Sequence, residues 1–485
     1  MSQVPWIATS VFLVDLLLRA TLSLRVIRRR LPVGVSLAWL SIILIFPFAG
    51  SFLYLLLGEY RLGPKRAVRL PEIHAAWRTR LAEIAAESQV SWASLESVSA
   101  EVARLAESAL GARAQAGNRL ELLGSADAGF TALLRDLDDA RQTCHLEFYI
   151  WSPGGRADDV AAALLRAARR GVQCRLLVDA FGSADFLRSH WAKELRQGGV
   201  EVQTALPGGA LRLFVARPDL RLHRKIAVID GVIGYAGSLN VADPLIFKQD
   251  SGFGPWVDAF VRVQGPGVAA LGLTFLADWA LETGAGTDLL RKSGDVICPP
   301  PAGAAAVQVL PSGPDALVAA IEEIVLMAVY AARRELVLTT PYFIPTEALL
   351  TALLSAAGRG VKVTLIVPER VDSRLVHYAS RAPQADLLRA GVHIALYRDG
   401  LLHTKSITVD DQLSLFGSLN LDSRSLRLDF EVTLAVYDAG FTAALRALQQ
   451  SYLERSLTLD LATCRARSTF ERFLEDAARL AGPLL

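Results

Sequence analysis

Lysine is scarce in this 485-residue chain: seven of its 51 basic side chains are lysine and the rest are arginine. Against 49 acidic residues the formal net charge is only +2, which removes the strongly basic signature of a nucleic-acid-binding protein. Cysteine is equally sparse. Cys144, Cys174, Cys298 and Cys464 are scattered with neither metal-ligand nor disulfide spacing, so they are expected as buried thiols and do not reveal the compartment. No Cys/His/Asp/Glu cluster has metal-site spacing, and no Walker or glycine-rich nucleotide motif occurs, so neither metal nor cofactor is expected. The arginine bias, with abundant alanine, points to a GC-rich bacterial genome.

What is present begins with two apolar runs. Pro5 to Leu24 is interrupted only by Asp15 and Arg19, one helical turn apart and able to pair, while Val35 to Leu57 carries no charge. Each is close to the ~20 residues that cross a bilayer. A 1–60 anchor with two transmembrane helices is therefore expected, with Trp6, Trp39 and Tyr60 near the membrane boundaries. No basic residue precedes the first run, and the second follows as a further anchor, which argues against a cleaved signal peptide. On a two-crossing reading, Arg25, Arg28, Arg29 and Arg30 face one side and Arg61, Lys65, Arg66 and Arg69 the other. The positive-inside comparison then cancels and leaves orientation open.

Further on, His223-Arg224-Lys225, Asp230 and Gly237-Ser238-Leu239-Asn240 recur in identical spacing as His403-Thr404-Lys405, Asp410 and Gly417-Ser418-Leu419-Asn420. At about 5% use per residue type, six fixed matches arise by chance roughly once in tens of millions of start sites. The unit is duplicated. A neutral imidazole can attack phosphorus and a protonated one can give a proton to a departing alkoxide, so two histidines suffice for a two-step displacement. Lys225 and Lys405, two residues on along a strand, share a face with their histidines and can neutralise phosphate oxygens. Ser238, Asn240, Ser418 and Asn420 offer hydroxyl and amide donors for phosphate binding. Asp258 and Glu431 occupy matching places after the motifs and are expected to hydrogen-bond and orient the histidines, a solvated strand-end carboxylate being the alternative. Asp230 and Asp410 complete the motif sets and read as braces of the local turn.

These motifs resemble the HKD signature of the phospholipase D superfamily. The resemblance implies that both copies meet at a pseudo-twofold interface in one metal-free site, with His223, Lys225, Asp230, His403, Lys405 and Asp410 as the catalytic set. By the same resemblance His223 is the nucleophile, and His403 is general acid and then base.

The duplication reaches past the motifs. Ala163 to Val172 followed by Leu176-Leu177-Val178 is echoed by Ala352 to Val361 followed by Leu365-Ile366-Val367, each reading as helix, glycine stop and buried strand. Gly199-Val200-Glu201-Val202 and Gly391-Val392-His393-Ile394 repeat in the same way. The expected fold is α/β, with two pseudo-twofold-related phospholipase D-like lobes behind the two transmembrane helices. Its parts are a helical connector over 61–118, a first lobe over 119–284, a linker over 285–304 and a second lobe over 305–485. The last of these ends in a helix whose Phe470, Phe473, Leu474, Ala477 and Leu480 share one face, expected to pack on the lobes, with membrane contact the alternative.

Within the superfamily almost the whole chain, a paired N-terminal anchor followed by two such lobes, is similar to the bacterial cardiolipin synthases, through Phe148-Tyr149-Ile150-Trp151, Asp243-Pro244 with Phe247-Lys248-Gln249-Asp250, Thr340-Pro341-Tyr342-Phe343 and Leu401 to Ser406. That similarity implies phosphatidyl transfer between two phosphatidylglycerol molecules, giving cardiolipin and glycerol, by a multi-pass enzyme of the bacterial inner membrane with no nucleic-acid partner. Spacing alone leaves water open as the acceptor, which would make the protein a membrane-bound phospholipase D releasing phosphatidic acid.

Overall fold

The computed structural model describes residues 4–480 other than 30, 32, 60, 93–96, 208–215, 250, 251, 293, 295 and 315–319. The chain forms two compact units, residues 1–68 with 208–220 and residues 69–207 with 221–485.

In the first unit α1 (Val4–Arg28) is one continuous helix, and its Trp6–Arg28 stretch is long and apolar enough to cross a membrane. The second apolar run differs from the expectation. It is split into α2 (Val33–Ile45) and α3 (Ala49–Leu57), so among the described residues no second helix has crossing length. The cause is local: Pro47 has no N–H for the helical ladder, and Phe48 sits at φ 51°, outside the helical region. Trp39, expected at a membrane boundary, is instead buried among Leu22, Val26, Ile43 and Tyr54. Trp6 is exposed, and Tyr60 lies outside the described residues.

The connector continues as α4 (Pro64–Ala85) and α5 (Ser97–Leu110). The first lobe then contributes β1 (Gln115–Leu123), β2 (Thr143–Phe148), β3 (Gln173–Asp179), β4 (Glu201–Ala205), β5 (Lys225–Ile229), β6 (Ile233–Gly237), β7 (Trp256–Val257) and β8 (Phe260–Gln264). The second contributes β9 (Ala305–Ser312), β10 (Glu335–Thr339), β11 (Phe343–Ile344), β12 (Lys362–Pro368), β13 (His393–Tyr397), β14 (Leu401–Leu402), β15 (Ser406–Val409), β16 (Leu413–Gly417), β17 (Leu421–Asp422), β18 (Glu431–Tyr437) and β19 (Ser456–Leu459). Fifteen of these strands form one sheet that runs through both lobes.

Its centre is the antiparallel pair β1 and β9. Outward from that seam the first lobe reads β1, β8, β6, β5, β2, β3, β4 and the second β9, β18, β16, β15, β10, β12, β13, with β19 added at the edge. The two halves repeat one topology. The parallel pairs β2–β3 and β10–β12 are each joined by a helix, Arg156–Arg169 and Glu347–Gly358, and both crossovers turn at glycines with positive φ, Gly171 (91°) and Gly360 (86°). In the first lobe Val160, Leu164, Leu176, Val178, Phe148 and Trp151 close one apolar core, each large side chain contributing about 1.5–3 kcal/mol by leaving water.

The C-terminal helix Thr469–Leu480 does not dock by its apolar face. It buries Glu475 and Ala478, with Arg467 and Arg381 paired to Glu475, and leaves Phe470, Phe473 and Leu480 exposed. The buried ion pairs on the opposite face fix this orientation.

Candidate active site

Each motif is one β-hairpin. In β5–β6 the register pairs Ile226 with Ala236, so the chain leaves past His223 and Lys225 and returns to the same end at Ser238 and Asn240. β15–β16 does likewise, pairing Ser406 with Phe416. The spacing in the sequence is thus the length of a hairpin, and it brings His, Lys, Ser and Asn together.

The far end of each hairpin is the turn at Asp230 and Asp410, both at positive φ (52° and 48°). Their carboxylates accept the backbone N–H groups of Arg141, Gln142 and Thr143, and of Arg333, Arg334 and Glu335, at 2.7–3.0 Å. These two acids stand roughly 20 Å along the strand from the histidines, so they brace the start of β2 and β10 and cannot touch a bound phosphate.

The histidines are oriented across the lobes. His223 Nδ1 of the first lobe donates to Glu431 Oε1 of the second at 2.8 Å, and His403 Nδ1 of the second donates to Asp258 Oδ1 of the first at 2.6 Å. Short parallel contacts enforce this exchange: Leu222 bridges Phe430, and β14 pairs with β7. Backbone bonds from His223 N–H to Phe430 C=O (2.9 Å) and from His403 N–H to Val257 C=O (2.8 Å) fix both rings at the seam. Each imidazole therefore keeps Nε2 free for chemistry.

All the charged groups here are buried. Burial, reinforced by Lys225 and Lys405, pushes His223 well below the ordinary imidazole range. Burial likewise takes His403 to about 4, against the opposing pull of Asp258. Lys225 is lowered to about 8 by burial, although Glu431 and Asp258 both oppose the shift, and Lys405 is lowered well below its usual range for the same reason. That Lys225 feels carboxylates of both lobes places the two half-sites in one electrostatic environment. The carboxylates themselves differ. Burial raises Asp258, but His403 and Lys405 outweigh it and hold the group below the ordinary range, whereas burial keeps Glu431 well above its own.

The motif serines hydrogen-bond within the protein. Ser418 Oγ donates to Glu431 and accepts the N–H of Val432 at 3.0 Å, while Ser238 Oγ donates to Ala259 C=O at 3.2 Å. Both hydroxyls, expected to bind phosphate, here bond to the segments that carry the orienting acids. Asn240 fits that role better: its Oδ1 accepts the N–H of Ile150 at 3.1 Å, and its buried Nδ2 has no protein partner. Asn420 is also buried, with its Oδ1 unpartnered. The lysines place Nζ on the carbonyls of their own histidines, at 2.5 Å for Lys405.

Three residues escaped the sequence reading. Tyr149 packs edge-on against His223 with ring centres 4.8 Å apart, and Trp256 lies 4.3 Å from His403, so each imidazole has an aromatic wall. Arg224, inside the first motif, donates to the carbonyls of Glu431 (2.9 Å) and Ser312 (3.1 Å) and pairs with Asp278, tying the first lobe to the strand that holds Glu431. Tyr149 stood in a recognisable segment, but nothing in the sequence says which ring it or Trp256 covers. No group of three or more His, Cys, Asp and Glu that could hold a metal ion occurs among the described residues.

Comparison with known proteins agrees with this architecture. The family described as "Cardiolipin synthase, PLD-like domain" matches residues 133–245 and 325–452, and "Phospholipase_D-nuclease N-terminal" matches residues 7–59. Cardiolipin synthase A of Erwinia tasmaniensis is 42% identical over 478 residues, covering 97% of this chain and 96% of its own length. Cardiolipin synthase A of Salmonella arizonae is 43% identical over 468 residues, covering 96% of each. Among solved structures, the phosphatidylserine synthase of Haemophilus influenzae Rd KW20 superposes with a TM-score of 0.58 over 76% of this chain and 95% of that one; at 17% identity it bears on the fold alone.

Proposed function

The chain belongs to the phospholipase D-like cardiolipin synthase family, and from that membership we propose that it transfers a phosphatidyl group from one phosphatidylglycerol to the glycerol hydroxyl of another, giving cardiolipin and free glycerol. The observation that carries the chemistry is the crossed pair of imidazole–carboxylate contacts, His223 with Glu431 and His403 with Asp258, which turns two lobes into one site with two free Nε2 atoms.

In the first step His223 Nε2 attacks phosphorus, the bond to the glycerol oxygen breaks, and His403, in the imidazolium form that Asp258 and the arriving phosphate anion favour against burial, supplies the proton that oxygen takes. In the second, the incoming glycerol hydroxyl gives its proton to His403 and attacks phosphorus, and His223 leaves. One phosphodiester replaces another, so no energy-rich co-substrate is required. Lys225, Lys405 and the free Nδ2 of Asn240 neutralise the phosphoryl oxygens as charge builds on them. Burial makes these contacts stronger than they would be in water. Both apolar runs lie in the bilayer on this reading, which places the enzyme in the bacterial inner membrane beside its lipid substrate.

Purified enzyme given only phosphatidylglycerol should release glycerol and cardiolipin in equal amounts, read by lipid mass detection and a glycerol assay. Phosphatidic acid as the main product would establish a hydrolase and overturn the proposal.

The lowered lysine sets the alkaline limit. Lys225 must be cationic to hold phosphate, and it loses its proton as pH rises through about 8, so kcat/KM for a short-chain phosphatidylglycerol should fall about tenfold per pH unit above that value. Because guanidinium keeps its proton and burial lowers Lys405 as well, the double arginine variant Lys225→Arg with Lys405→Arg should lower activity but remove this limb. A limb that stays in the arginine variant would assign it to another group.

A further inference from the structure

The break in the second apolar run is a reversal. Trp39 of α2 and Tyr54 of α3 meet edge-on with ring centres 5.4 Å apart, whereas fifteen residues of straight helix would separate them by about 22 Å. Gly50 marks the close approach, since a Cβ there would lie 2.1 Å from the carbonyl oxygen of Ile42. At 13 and 9 residues the two helices are about 20 Å and 14 Å long, too short for a hydrocarbon core of about 30 Å.

A reversal inside lipid exposes helix ends, and α1 supplies what they need. The carboxylate of Asp15 accepts the N–H of Phe48, at the positive end of α3, at 2.8 Å. Arg19 donates to the carbonyl of Leu44, at the negative end of α2, also at 2.8 Å, and pairs with Asp15. Polar backbone that would otherwise be unsatisfied in hydrocarbon is thereby capped. At the other level Glu59, just past α3, binds Arg25 (2.7 Å) and Arg29 (3.3 Å) at the end of α1, and accepts the Tyr54 hydroxyl at 3.0 Å. Along α1, Asp15 and Arg19 stand about 9–15 Å from Arg25, roughly half the hydrocarbon thickness. Beyond the hairpin tip α1 continues alone, with Trp6, Ile7, Val11 and Phe12 exposed as a lipid-facing helix requires.

We propose that α2 and α3 form a re-entrant hairpin that enters and leaves the bilayer on the same side, capped at mid-membrane by Asp15 and Arg19, and that α1 is the one crossing. The charge balance then no longer cancels. Arg25, Arg28, Arg29, Arg30, Arg61, Lys65, Arg66 and Arg69 all fall on the side from which the catalytic lobes follow, and residues 1–5 contribute no lysine or arginine. The positive-inside rule puts that side in the cytoplasm. Resting on the proposed lipid transfer, the substrate pool is therefore the phosphatidylglycerol of the cytoplasmic leaflet.

Full-length protein carrying Ser2→Cys, Val33→Cys or Leu62→Cys, each measured against the parent's own thiols, would be treated with a membrane-impermeant maleimide in intact spheroplasts and after lysis. The Ser2→Cys variant should gain label in intact spheroplasts, and the other two only after lysis. Val33→Cys and Leu62→Cys labelled from opposite sides would establish two crossings and overturn the hairpin. Both labelled in intact spheroplasts, with Ser2→Cys protected, would overturn the sidedness. These labels need no lipid assay, so a failed topology leaves the proposed reaction standing, and an absence of cardiolipin leaves the topology standing.

Discussion

His223→Ala and His403→Ala should each cut cardiolipin formation by about three orders of magnitude or more, because nucleophilic attack and leaving-group protonation both lie on the path. The double variant should be little worse than either single one, since residues that act as one unit do not contribute independently. Multiplied losses would instead mean that each lobe catalyses by itself, a result at odds with the exchange of carboxylates between them. Each substitution also leaves a buried carboxylate without its imidazole, so thermal unfolding of both variants must be followed alongside activity. Acid quenching of the lipid-loaded wild type should leave phosphate on His223. Phosphate on His403 would exchange the roles of the two imidazoles without altering the site.

The motifs were legible because a hairpin writes its chemistry at fixed separation: six positions recur 180 residues apart, and the repeat of crossover helix and strand around them foretold two like lobes. What crosses between lobes was not. Asp258 and Glu431 stand out as acids in matching places, yet the partner of each lies in the other half of the chain, 145 and 208 residues away. The bonds that Ser238 and Ser418 make beside the orienting acids were hidden for a related reason, since a hydroxyl beside a phosphate site and one satisfying a strand edge have the same sequence signature. In the anchor, hydropathy averaged over the second run hid the break within it. Pro47 was visible, but that the chain reverses there depends on Gly50 and on Asp15 and Arg19, which only a folded hairpin brings together. The C-terminal helix inverted its expectation because ion pairs through Glu475 decide which face docks.

Asp258→Asn and Glu431→Gln should differ in their cost, although the two acids hold equivalent places. Asp258 is kept ionised by His403 and Lys405, so an amide there removes the charge that orients His403 and stabilises its imidazolium. A loss of about 10²–10⁴ in kcat is expected, as for other carboxylates that support a catalytic histidine. Burial pushes Glu431 well above the carboxylate range, so an amide in place of its charge should cost less there than at Asp258. A glutamine carbonyl oxygen can accept Nδ1–H of His223 as Oε1 now does, and its NH₂ can donate to Ser418 Oγ in place of the contact the hydroxyl now makes. Glu431→Gln should then cost about tenfold or less, while Glu431→Ala, which leaves Nδ1 unsatisfied, should approach the loss seen for Asp258→Asn. In all three the KM for a short-chain phosphatidylglycerol should stay within a few-fold of wild type, because neither acid touches the lipid. Steady-state kinetics of the set decides the matter: a Glu431→Gln variant as impaired as Asp258→Asn would mean that both carboxylates work ionised, and a loss confined to KM would remove them from the orientation of the histidines.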